Sequence, residues 1–187
     1  MNYLSQYSIP LNGLDSNKEY KYSFVVNDAF FDFFEKSLIK GGSLDVQVKL
    51  NKKSTSLNME IRISGNVVLP CDRCLDDYNQ EIDFADNIAV ALSDETNFDT
   101  NEDFVTLDRN ANEINISQFI YEFSHFALPF IHYHPNDKNG NPTCNPEMLR
   151  IIEEHSVHIS ENNIFDVVDA RWEKLIEIKK ENDVNNN

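Results

Sequence analysis

Leu44, Val46, Val48 and Leu50 alternate with polar residues, and after a polar break Leu57, Met59, Ile61 and Ile63 do the same. Two adjacent runs of period two are satisfied by an antiparallel hairpin with one buried face, and by little else. The joining stretch, Asn51-Lys-Lys-Ser-Thr-Ser56, is polar and turn-like. Gly65 permits a bend, and Val67, Val68 and Leu69 carry the apolar pattern onward as a third strand. Tyr78, Ile82 and Phe84 then read as a return strand, which Ile88, Val90 and Leu92 extend or follow.

The turn inside this hairpin is Leu69-Pro-Cys71-Asp-Arg-Cys74-Leu75. A C-x-x-C pair aims two thiolates at one point, which makes half of a tetrahedral zinc site or else a redox pair. A thioredoxin-like pair needs a helix starting at the motif, whereas strands flank this one. The chain has three cysteines, an odd number unsuited to a disulfide framework, and the third is Cys144. Cys144 follows a turn-rich loop over 130–143 that contains His132 and His134. After it, Asn145-Pro146-Glu147 places an N-cap residue, a proline and an acid where a helix begins. The positive end of that helix favours thiolate at Cys144. Cys71, Cys74 and Cys144 with either His132 or His134 would make a closed, structural zinc shell. The spacing is only moderately specific, since three cysteines can also be ordinary buried side chains. His125, His155 and His158 read as packing or surface histidines.

Upstream, Tyr20, Tyr22, Phe24 and Val26 alternate weakly as an opening strand. Asn27 and Asp28 could cap a short helix whose stripe is Ala29, Phe30, Phe33, Phe34 and Leu38, ended by Gly41-Gly42. The phenylalanines read as packing onto a sheet rather than a ligand pocket. Residues 93–101 form an acidic loop, and Phe104, Val105 and Leu107 mark a further short strand. Ile116, Phe119, Ile120, Phe123 and Ala127 share one face of a helix over 116–128 that Pro129 ends. Met148, Leu149, Ile151 and Ile152 belong to the helix after Asn145, residues 156–165 are irregular, and a last amphipathic helix from about Asp169 carries Trp172, Leu175 and Ile176. The expected class is α+β: an antiparallel sheet, barrel-like if it closes, carrying the C-x-x-C knuckle, with helices packed at one side. One domain is expected over residues 1–180, with a disordered tail over 181–187.

The formal net charge of −16 argues against broad wrapping of a phosphate backbone, which needs clustered Lys and Arg. It suits docking on basic partners. Arg73, Arg150, Arg171, Lys174, Lys179 and Lys180 could form a local patch, although scattered solvated charges are the commoner case. The N-terminus lacks a basic, then apolar, leader, and no apolar run nears the ~18 residues of a membrane span. A reducing cytoplasm is therefore expected, without membrane contact. There is no phosphate loop, nucleophile elbow or H-E-x-x-H, and pairs such as Asp76-Asp77 are expected by chance among 32 acidic residues. Asp137-Lys-Asn-Gly-Asn141 reads as a turn rather than a calcium loop, because the closing glutamate is missing.

Three stretches carry a family resemblance: Gly65–Leu75; Ile114–Pro129 continuing through His134-Pro135 to Cys144–Leu149; and Asp169–Leu175. In order and spacing the chain resembles the YceD family of large ribosomal RNA subunit accumulation proteins, in its Bacteroidetes-type form. The resemblance implies a non-enzymatic part in accumulation of large-subunit ribosomal RNA, with no small-molecule substrate. The family's early C-x-x-C, later histidine and late cysteine fall on Cys71, Cys74, His134 and Cys144, which implies structural zinc there. The expected partner is the large ribosomal subunit precursor, reached through a basic ribosomal protein or an assembly factor, with any RNA contact local. The rival readings are a zinc-stabilised adaptor unrelated to ribosomes, or an enzyme of rRNA maturation or thiol oxidation.

Overall fold

The computed structural model describes residues 3–97 and 105–156. At its centre, β3 (Gly41–Lys52) and β4 (Ser56–Pro70) pair antiparallel without a slip from Gly41 opposite Val68 to Lys52 opposite Leu57. Leu44, Val46, Val48 and Leu50 of one strand, with Leu57, Met59, Ile61 and Ile63 of the other, form the buried face the alternation requires.

Gly65, where a bend is permitted, does not begin a separate third strand, because β4 is continuous through it for 15 residues. Gly65 has φ 145°, and a Cβ there would lie 2.3 Å from the Ser43 carbonyl oxygen. The glycine therefore serves close approach of β3 and β4. Spacing by two is preserved, so Val67 and Leu69 stay buried beside Ile63. β5 (Asp77–Ser93) is likewise one strand of 17 residues, paired with β4 from Pro70 opposite Asp77 to Ser56 opposite Ala91.

β2 (Glu19–Val26) and the short β6 (Thr106–Asp108) complete a five-stranded sheet of order β2-β3-β4-β5-β6. The expected strand near Leu107 is thus present, but it lies parallel to β5. Among the described residues the sheet keeps two open ends and does not close into a barrel. A small second sheet pairs β1 (Ser8–Pro10) with β7 (Glu113–Asn115).

The helix expected over Ala29–Leu38 shrinks to one turn, α1 (Asp28–Phe31). Asn27 makes no side-chain cap; it accepts the Tyr3 hydroxyl, while the Asp28 carboxylate accepts the Gly42 N–H. The phenylalanines pack on one another instead. Phe30 sits against Tyr7, Phe31 and Phe34 with ring centroids 5.0–5.3 Å apart, and Phe34 stacks on Tyr121. Gly41 and Gly42 open β3 rather than ending a helix.

α2 (Ser117–Phe126) forms where the 3.6-residue pattern places it and buries Phe119, Ile120 and Phe123. The Asn115 side chain accepts the Ser117 N–H at its start. Phe123 meets Phe84 of β5 edge-to-face at 5.4 Å, which seats the helix on the sheet. α3 (Pro146–His155) begins behind Asn145, whose Oδ1 accepts the Glu147 N–H.

The chain divides into two compact units, Met1–Met148 and Leu149–Asn187. The single domain read over 1–180 extends across that boundary. Part of the expected acidic loop, the irregular stretch beyond Ser156, the helix from Asp169 and the tail lie outside the described residues.

Candidate metal centre

The β4–β5 connection is a tight knuckle. Cys71 N–H donates to the Asp76 carbonyl and Leu75 N–H to the Cys71 carbonyl, both at 2.9 Å. Leu75 takes φ 65°, the left-handed conformation that reverses the chain. Arg73 N–H points at the Cys71 sulfur from 3.4 Å. The result buries both Cys71 and Cys74 at the hairpin tip.

The loop after α2 is stitched to this knuckle by its backbone. Asp72 N–H donates to the His132 carbonyl, and His132 N–H donates back to Asp72 Oδ2, each at 2.7 Å. Two residues on, His134 Nδ1 lies 3.4 Å from the Cys74 sulfur. The chain then folds over Asp137, whose carboxylate accepts from the N–H groups of Asn139 and Asn141 and from the Asn141 side chain. These bonds close 137–141 as a turn, and the donors, Asn141 foremost, hold the Asp137 carboxyl below its ordinary value. Thr143 Oγ donates to the Pro135 carbonyl and closes the loop. Cys144 arrives with its sulfur 3.8 Å from that of Cys71. Asn145 Nδ2 donates to Asp76 Oδ2, a second link between the two sides.

Cys71, Cys74, His134 and Cys144 thus place one ligand atom each within 4.8 Å of every other. A tetrahedron with Zn–S arms of ~2.3 Å and a Zn–N arm of ~2.0 Å has edges of about 3.5–3.8 Å. The Cys71–Cys144 and Cys74–His134 contacts, 3.8 Å and 3.4 Å, sit close to those edges. His132 faces elsewhere: its Nδ1 is 3.6 Å from Asp72 Oδ2. His134 is the histidine whose ring nitrogen joins the sulfurs.

Electrostatics favours a cation at this point. Burial pushes the Cys71 thiol up, but the N–H groups of Cys74 and Arg73, together with His134, outweigh it and bring Cys71 down to about 6. Cys144 moves the other way, first through burial and then through Cys71 and Cys74 beside it. One thiolate discourages the next, a conflict that a divalent ion removes. Burial, then Cys71 and Asp72, also raise the Tyr78 phenol, whose ring lies 5.2 Å from His134. Three thiols and an imidazole would supply all four corners of a tetrahedral metal shell. All three cysteines are free, and no helix begins at Cys71.

Sequence reasoning did not single out Asp72, Asp76 or Asn145 for this site. Their signal is weak, because polar residues in turns are ordinary. His125 is a packing residue as expected, its Nδ1 against the Tyr121 carbonyl. Of the basic residues read as a possible patch, Arg73 lies over the Tyr133 ring and Arg150 pairs with Glu154. His158, Arg171, Lys174, Lys179 and Lys180 lie outside the described residues.

A family model described as large ribosomal RNA subunit accumulation protein YceD matches residues 59–179, which include all four clustered side chains. No curated protein and no solved structure matches the chain.

Proposed function

The chain belongs to the YceD family, and from that membership we propose that it acts in ribosome biogenesis, as a non-enzymatic factor for accumulation of large-subunit ribosomal RNA. The observation that carries this reading is the family match across both halves of the cluster, the knuckle and the His134–Cys144 loop. Zinc is the metal that suits three thiolates and an imidazole, and in a filled shell its part is structural.

The partner is a basic ribosomal protein or assembly factor on the large-subunit precursor, met in the cytoplasm. The net charge of −16 supports this, and so does the pairing of cations. Lys18, Lys21, Lys40, Lys49, Arg62, Arg109 and Arg150 each have a carboxylate within 4.0 Å. Among the described residues, such pairs offset part of the positive charge that could follow an RNA backbone. No described helix is long and apolar enough to cross a membrane.

The test is sedimentation of the tagged protein from cells, with crosslinking to identify the proteins and RNA it touches. Co-migration with large-subunit precursors, crosslinks to basic proteins and a fall in large-subunit rRNA on depletion are the expected results. Absence from those fractions overturns the reading.

A further inference from the structure

Among the described residues β5 is an edge strand for most of its length, since β6 pairs only with Ala91–Ser93. The side on which its backbone groups emerge is fixed by three bonds. Ala91 N–H donates to Val105 and the Ser93 carbonyl accepts from Arg109, both on the outer side, whereas Leu92 N–H donates to Thr55 beside β4. The register with β4 has no slip, so strict alternation continues down the strand. Asn79, Glu81, Asp83, Ala85, Asn87 and Ala89 therefore turn N–H and C=O outward. Two of these groups are used locally: Gln80 Nε2 donates to the Glu81 carbonyl, and Asn87 N–H to Asp86 Oδ1. The others meet no protein partner among the described residues. Proteins usually blunt such an edge with proline, lysine or a bulge, and β5 has none of them.

The two faces of this edge differ. Glu81 and Asp83 stand exposed on the outer face, Asp83 beside Arg62. On the inner face, Phe84 is half-buried, and 6.4 Å from its ring lies that of Phe126, itself 67% exposed. An added strand would set alternate side chains against acids and against aromatic surface.

We propose that the β5 edge from Asn79 to Ala85 takes up an extended segment of a partner protein by strand addition, in which Lys or Arg alternate with apolar residues. This rests on the docking reading above and adds where, and on what chemistry, docking occurs. A second copy of the chain is the poorer occupant, because it would bring Glu81 and Asp83 against acids of its own kind.

The test titrates the full chain into a labelled Lys-Val-Lys-Val-Lys-Val peptide, with fluorescence anisotropy and amide NMR shifts as readouts. A peptide of the same composition in two blocks is the control. The alternating peptide should bind at least about tenfold tighter and shift the β5 amides. Ala85→Pro removes one outward N–H and leaves the β4 ladder whole, as prolines at edges do. It should keep the melting temperature and lose binding about tenfold or more, and Glu81→Lys should weaken binding through charge. If Ala85→Pro does not fold, methylation of alternate peptide nitrogens asks the same question of the wild-type chain, and loss of binding then supports strand addition. Equal binding of alternating and block peptides, unaltered binding by folded Ala85→Pro or by the methylated peptide, or a dimer joined through β5, each overturns it. Wild-type co-sedimentation that Ala85→Pro retains in full overturns strand addition alone. Peptide binding without any co-sedimentation removes the ribosomal reading and leaves the edge standing.

Discussion

His132 and His134 sit two residues apart on one loop, and their hydrogen bonds send them to different work. His132 is held through its own N–H by the Asp72 carboxylate, while His134 Nδ1 reaches Cys74. The expected outcome is that His134→Ala, like Cys144→Ala, loses bound zinc, whereas His132→Ala keeps it. Elemental analysis and the thiolate bands of a cobalt-substituted protein read this directly. Zinc retained by His134→Ala but not by His132→Ala would reverse the assignment. Spacing alone leaves both histidines open and the family resemblance points to His134; what separates them physically is the direction of one carboxylate in a turn sixty residues away. The thiols have a pH signature of their own. In metal-free protein Cys71 is held at about 6, below its ordinary value. A depressed folded value stabilises the fold above the ordinary thiol range, and that contribution is lost as pH falls through about 6. Thiolate absorbance of the metal-free chain should therefore show a step near pH 6 that Cys71→Ser abolishes.

Among the elements, the hairpin was legible because β3 and β4 bury one face each, and period two survives in the residues themselves. The continuity of β4 was not. Gly65 reads from sequence as a permitted bend before a third strand, and its missing side chain is what lets Ser43 approach. Gly65→Ala should accordingly cost at least about 1–3 kcal/mol, the usual range for overpacking, measured as a lower midpoint in urea. A neutral result would mean that β3 and β4 can separate there. The helix expected over Ala29–Leu38 shrinks to Asp28–Phe31 for the opposite reason. Its aromatic spacing is real, but the rings pack around Tyr7 and Tyr121 rather than along a helix. Metal removal distinguishes elements in the same way. Because β3 and β4 have a core of their own, chelation should lower the melting temperature without unfolding the sheet. Hydrogen exchange should then rise at 71–76 and 130–145 while the amides of β3 and β4 stay protected. Uniform loss of protection would show that the metal holds the whole fold rather than one fastening.

For the whole molecule, a formal net charge of −16 attracts cations at long range. The attraction acts over a Debye length of about 8–10 Å at 0.10–0.15 M salt and shrinks to about 3 Å at 1 M. If the chain docks on a basic protein, retention on large-subunit precursors should fall steadily as salt rises, with the melting temperature scarcely moved. RNA stripped of protein offers only like charge, and should show no comparable binding at any salt. An RNA-binding protein behaves in the reverse manner: it would bind the stripped RNA, tightest at low salt, and protein removal would leave that affinity intact. Two filter-binding series, with precursor particles and with their deproteinised RNA, separate these cases. Strong salt-sensitive binding to bare RNA would place the contact on the phosphate backbone despite the acidic surface.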